Sequence, residues 1–118
     1  MSSETGKLQS RLQVLQRQYS QELPGKIEQL EKSWQRFTEQ GDRRALDSLV
    51  HDAHNLTGSG AIYGYHQTST IARELEQLLA EIQKSQQQPD PAHQQRVEHC
   101  IGALRLAAQS PVQDATPP

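Results

Sequence analysis

At 118 residues the chain is the size of one domain, with a formal net charge of −2 and no cluster of Lys and Arg, which excludes the electrostatic footprint of a nucleic-acid binder. No apolar run approaches the roughly 20 residues that cross a bilayer, the N-terminus lacks the basic and apolar regions of a signal peptide, and a single cysteine, Cys100, excludes an internal disulfide. Only 33% of residues are apolar and 4% aromatic, while Gln, Glu, Leu, Ala and Arg dominate, so amphipathic helices are favoured over sheets. The expectation is a protein of the cytoplasm, with Cys100 a buried thiol and neither nucleic acid nor membrane among its partners.

The first seven residues are expected to be flexible, and a bundle is expected over residues 8–108. Leu8, Leu12, Leu15, Tyr19, Leu23, Ile27, Leu30, Trp34 and Phe37 recur at helical spacing. Pro24-Gly25 interrupts them, and proline disfavours helical geometry at the preceding Leu23, which predicts two helices or one kinked helix. Gly41-Asp42 reads as a stop followed by an N-cap. The next helix carries Leu46, Leu49, Val50, Ala53, Leu56 and Gly60 on one face and ends near Gly64. A third carries Ile71, Leu75, Leu78 and Ile82, fraying through the Gln-rich residues 83–88. Asp90-Pro91 reads as N-cap and first-turn proline of a fourth, which aligns Val97, Ile101 and Leu104. The polar, proline-rich residues 109–118 are expected to form a disordered tail or linker. Short connections between long amphipathic helices predict an all-α, up-and-down antiparallel four-helix bundle, with the N-terminal helix kinked or preceded by an additional short one.

The segment Ala53-His54-Asn55-Leu56-Thr57-Gly58-Ser59-Gly60-Ala61-Ile62-Tyr63-Gly64 carries the functional signal. Glycine in a helix interior costs about 1 kcal/mol relative to alanine, so glycines following His54 suggest space kept clear around it. On a helical wheel His54 falls about 100° from the centre of the apolar arc, on its shoulder, with Asp47, Val50, His51, Thr57, Gly58 and Ala61 as same-face neighbours. A neutral imidazole is a good nucleophile near neutral pH. A hydrolytic enzyme would add an oxyanion hole, a metal or a second acid/base group, and the chain offers no persuasive set. A phosphoryl acceptor needs only an accessible nitrogen on a rigid helix, provided its partner brings the donor and the metal.

These residues resemble the motif of histidine phosphotransfer (HPt) domains of bacterial two-component phosphorelays, roughly Ala-His-x-Leu-Lys-Gly-Ser-x-x-x-x-Gly. Ala53, His54, Leu56, Gly58, Ser59 and Gly64 match in place, Tyr63-Gly64-Tyr65 looks like the aromatic-Gly-aromatic ending of chemotaxis-kinase phosphotransfer domains, and Ala72-Arg73-Glu74-Leu75-Glu76 falls where such domains have a similar helix. The resemblance implies a phosphoryl carrier without autonomous catalytic activity. His54 would accept phosphate from the aspartate of one receiver domain and pass it to another. Receiver domains or a hybrid sensor histidine kinase would be its partners, and Mg²⁺ would come from the receiver, none being its own. It also implies that Glu76 faces His54 and orients its other ring nitrogen. Thr57 departs from the pattern, because the family usually has a lysine there whose charge helps hold the phosphoryl group; Arg73 is a candidate to compensate. Asp47, Val50 and His51, with Gly58 and Ala61, are candidate docking residues.

Two rival readings remain open on sequence. Thr57 keeps alive a pseudo-HPt adaptor that binds a receiver or kinase without carrying phosphate, and the Tyr-Gly-Tyr ending suits the phospho-acceptor domain of a larger chemotaxis-like kinase. Asp47, His51 and His54 also share one helix face at i, i+4 and i+3 spacing. A metal site there would need a further ligand, for which Glu76 is the available residue. His66, His93 and His99 carry no comparable pattern.

Overall fold

A run of apolar residues at helical spacing, punctuated by Gly41, Gly64 and Pro89, folds as the helices α1 (Ser2–Gln40), α2 (Arg43–Ile62), α3 (His66–Ser85) and α4 (Pro91–Ala108). The computed structural model describes residues 2–109, with side chains from residue 6 onward; the expected tail beyond Gln109 lies outside the described residues. No strand occurs among them. Sequential neighbours pack antiparallel and α4 returns beside α1, closing an up-and-down bundle.

The turns follow from local chemistry. Gly41 adopts φ +67, the left-handed geometry that releases the chain from α1, and Asp42 then caps α2 by accepting from the amides of Arg44 (3.0 Å) and Ala45 (3.3 Å). Gly64, at φ +84, makes the short turn into α3. Gln86 ends α3 in the left-handed region at φ +57, a conformation that non-glycine residues visit infrequently. Asp90 caps α4 through the His93 amide (2.8 Å), with Pro91 at the first helical position.

The core is built from aliphatic and aromatic residues of all four helices, including Leu23, Ile27, Trp34 and Phe37 of α1, Leu46, Leu49 and Ala53 of α2, Leu75 and Leu79 of α3, and Val97 and Leu104 of α4. Cys100 is buried as expected, and burial pushes its thiol pKa up, which keeps it protonated and unreactive.

Of the two alternatives for the N-terminal region, two helices or one, the structure has one: the helix runs through Pro24 as a single element. Leu23 and Ile27, one on each side of the proline, are fully buried, and that packing offsets the one backbone hydrogen bond the missing N–H forfeits. Helix α1 begins at Ser2. Its 39 residues reach about 58 Å at 1.5 Å each, matching the 58 Å long axis of the molecule, whereas α2, α3 and α4 are roughly half that length. The N-terminal part of α1 therefore overhangs the bundle. Its apolar stripe is buried only from Tyr19 onward, while Leu8, Leu12 and Leu15 stay exposed.

His93, unassigned on sequence, fastens the start of α4. Its Nδ1 lies 2.9 Å from Asp90 and its Nε2 3.5 Å from Glu81 of α3. The hydrogen bond to Asp90, then its charge, raise the His93 pKa above 6.5, while the His93 amide and ring hold the Asp90 carboxyl below 3.8. His93 contributes stability that is complete below pH 6.5 and is lost as pH rises through its raised folded value. Asp90 contributes stability present above pH 3.8 and lost as pH falls through its lowered folded value. Amide exchange in the first turn of α4, corrected for intrinsic rates, is accordingly expected to be slowest between those limits and to quicken as pH rises through the raised value of His93. A His93→Ala variant should lose the upper limb of that dependence.

Candidate functional site

Helix α2 turns its small and aliphatic residues inward, which leaves the opposite face to polar side chains. His54 stands on that outer face with its side chain 71% exposed. One ring nitrogen is engaged: Nδ1 lies 2.7 Å from Oε2 of Glu76 on α3, whose own side chain is 27% exposed. A carboxylate accepts only, so Nδ1 carries a proton and donates; in the neutral ring the lone pair is then on Nε2. An imidazole in this tautomer, most of its side chain exposed, presents a nucleophilic nitrogen at Nε2. The charge-assisted bond to Glu76 is of the stronger kind, and it steadies a ring that little packing surrounds.

The residues expected around His54 fall into distinct groups. Gly58 and Ala61, on the same face, are exposed, and a Cβ built on Gly58 meets nothing within 4 Å. The fold therefore does not need this glycine; the bare surface it leaves beside His54 is open only to something outside the molecule. Val50 is half-buried against the core. His51 is exposed and accepts a hydrogen bond at Nε2 from the Asn55 amide (3.2 Å). Asp47 is exposed on the same face, but its carboxylate accepts from Gln83 Nε2 of α3 at 2.7 Å. The Thr57 hydroxyl, half-buried, donates to the Ala53 carbonyl at 3.0 Å, so it is turned along its own helix rather than toward the ring. Arg73 is exposed one turn before Glu76 and pairs with no carboxylate among the described residues.

Asp47, His51 and His54 share a helix face without converging. Among the described residues no three or more His, Cys, Asp or Glu side chains are arranged to hold a metal ion. A groove of about 520 Å³ lies elsewhere, between α1 and α2, lined by Gly25, Asp52, Asn55 and Ser59 among others.

Sequence reasoning missed what holds α2 against α3. Ser69 Oγ of α3 donates to the Thr57 carbonyl at 2.6 Å, and Gln83 reaches Asp47 from the same helix. The signal was present in the seven-residue spacing of Ser69, Glu76 and Gln83, which places all three on one side of α3. It missed as well the support for the α2–α3 turn from α1, where Tyr19 and Ser59 hydroxyls bond at 2.8 Å and Gln16 donates to the Tyr63 carbonyl at 3.0 Å.

The family model of the Hpt domain matches residues 14–107, and the chain belongs to that family. Members carry out histidine phosphotransfer in phosphorelays and meet receiver domains and kinases there. No curated protein and no solved structure shows significant similarity to the chain. The matched span begins at Val14, so it takes in the bundle and leaves out the first part of the α1 overhang.

Two glycines of α2 make opposite predictions for one substitution. Gly58→Ala adds a methyl that meets no neighbour and should raise stability by about 0.5–1 kcal/mol through helix propensity. Gly60→Ala places its Cβ 3.2 Å from the Ser69 amide nitrogen and the Tyr65 carbonyl oxygen, backbone that cannot swing aside, and should lower stability by about 1–3 kcal/mol. Urea denaturation of the two variants measures both signs.

Proposed function

We propose that this protein is a cytoplasmic phosphoryl carrier whose acceptor is Nε2 of His54, taking phosphate from a receiver-domain aspartate and giving it to another. The observation that carries the reading is the His54–Glu76 pair: Nδ1 is engaged at 2.7 Å while the ring remains 71% exposed. In the forward step the Nε2 lone pair attacks the phosphorus of the acyl phosphate. The new N–P bond forms as the P–O bond to the aspartate breaks, and the carboxylate leaves with that electron pair. The ring then bears positive charge, which the Glu76 carboxylate stabilises through the proton it already accepts at Nδ1. The return step reverses these bonds on a second receiver.

The donor carboxylate and Mg²⁺ belong to the receiver in this reading, and the metal supplies charge that offsets that of the moving phosphoryl group. This chain contributes the nucleophile, its orientation, and a face on which a partner can close. Gly58 and Ala61 allow close approach, and Val50, His51 and Asp47 lie around them as docking residues. A ring of small and apolar surface around one polar target is the anatomy expected of such an interface.

Thr57 sets the chemistry apart from that of a lysine-bearing member. With its hydroxyl committed to Ala53, it offers the phosphoryl group neither charge nor a free donor. Arg73 is the cation this chain can bring from α3. The phosphohistidine should therefore be short-lived compared with one flanked by lysine, and suited to rapid onward transfer.

The test is transfer from a panel of phosphorylated receiver domains, with Mg²⁺, to the wild-type protein and to His54→Ala. Acid-labile, base-stable label on the wild type alone is the expected result. No label from any donor, with receiver binding equal in both proteins, would contradict the carrier and favour an adaptor that docks without accepting phosphate.

A further inference from the structure

Three side-chain bridges join α2 and α3 along one line. Ser69 Oγ donates to the Thr57 carbonyl (2.6 Å), Glu76 accepts from His54 (2.7 Å), and Gln83 donates to Asp47 (2.7 Å). Ser69, Glu76 and Gln83 are seven residues apart, about two turns each, so they rise from the same side of α3. Their partners descend α2 in the opposite direction, as antiparallel helices require. The His54–Glu76 bridge is thus flanked by one bridge on each side.

The core packing of α2 on α3 sets the coarse register of the two helices, and the flanking bridges fix it at the face that carries the central pair. His54 is mostly exposed, so packing does little to fix its ring, while Glu76 is 27% exposed. Their meeting depends on the register of the two helices. Sliding α3 by one residue along its helical path moves a side chain about 1.5 Å along the axis and about 100° around it, which removes the carboxylate from the ring. At one end the helices already touch closely, since a Cβ on Gly60 would stand 3.2 Å from Ser69 N. Ser69 locks that end by a hydrogen bond. At the other end the Asp47–Gln83 bridge joins the two helices.

We propose that Ser69, Gln83 and Asp47 are positioning residues, clamping α3 in the register in which Glu76 holds His54 in the Nδ1–H tautomer. The proposal rests on the carrier reading for its purpose, but its geometry stands independently. It also moves Asp47 from a docking residue alone to a structural partner of the site, and gives Ser69, a buried hydroxyl outside the histidine motif, a functional task.

The test reads the ring directly. Nitrogen-15 chemical shifts of His54, recorded above the pH at which the imidazole is neutral, give the ratio of the Nδ1–H to the Nε2–H tautomer. The proteins are wild type, Glu76→Ala, Ser69→Ala, Ser69→Thr, Asp47→Ala and the Ser69→Ala/Asp47→Ala pair. Circular dichroism first establishes that each is folded. Wild type is expected to favour Nδ1–H, and Glu76→Ala to lose that preference. Ser69→Ala and Asp47→Ala should each lower the ratio severalfold, the pair should approach Glu76→Ala, and Ser69→Thr, which keeps the hydroxyl, should restore it. Folded Ser69→Ala and Asp47→Ala proteins, single and paired, with the wild-type ratio would overturn the proposal, as would a Glu76→Ala protein whose ratio does not change. Failure of the carrier reading would look different: the tautomer series would run as expected while no receiver phosphorylates the wild type.

Discussion

The approach of α2 to α3 is the constraint on which the rest of this molecule depends. A nucleophilic histidine on an exposed helix face is chemically ordinary; what distinguishes His54 is a carboxylate from the neighbouring helix at 2.7 Å. That distance requires the two backbones to run close and in a defined register. Gly60 admits the N-terminus of α3, Ala53 and Ala72 keep the shared face thin, and the Gly64 turn brings the chain back within three residues of leaving α2. Gly60, which would weaken an isolated helix, is here a condition for two helices to share a site.

Helix α1 serves that arrangement from the other side. Tyr19, buried and with its pKa raised by burial, stacks near Tyr63 and Tyr65 with ring centres 4.9 and 5.3 Å away, and bonds to Ser59. The α2–α3 turn is thereby pinned from below by an aromatic cluster. The division of labour follows. In the proposed reading this chain contributes an oriented nitrogen on an exposed helix face, and the metal and donor carboxylate come from a partner. A carrier of that kind has to release what it accepts, and a site with one oriented nucleophile and no lysine beside it would suit that.

Much of this was legible in the sequence. Helix order, the Asp42 and Asp90 caps and the inward faces of α2 and α4 followed from periodicity and turn chemistry, because each depends on residues close together in the chain. The prominence of His54 followed from its glycine-rich surroundings, and the pairing with Glu76 from the family resemblance. What escaped was set by tertiary contacts. Pro24 left one helix or two open, and buried Leu23 and Ile27 on either side carry a single helix through it. Leu8, Leu12 and Leu15 continue the apolar stripe of α1 without burial, since the other helices are too short to reach them. Thr57 was legible as a missing charge, but not as a hydroxyl turned back to Ala53. Ser69 and Gln83 look like ordinary polar positions until α2 is laid beside them.

The central claim is that Glu76 reserves Nδ1 and leaves Nε2 to react. The most direct measurement is the position of the phosphoryl group on the ring, read by phosphorus–proton correlation NMR of the protein phosphorylated by a receiver domain. Coupling that places phosphorus on Nε2 of His54 is the predicted result. Phosphorus on Nδ1, or on any residue other than His54, would contradict the account.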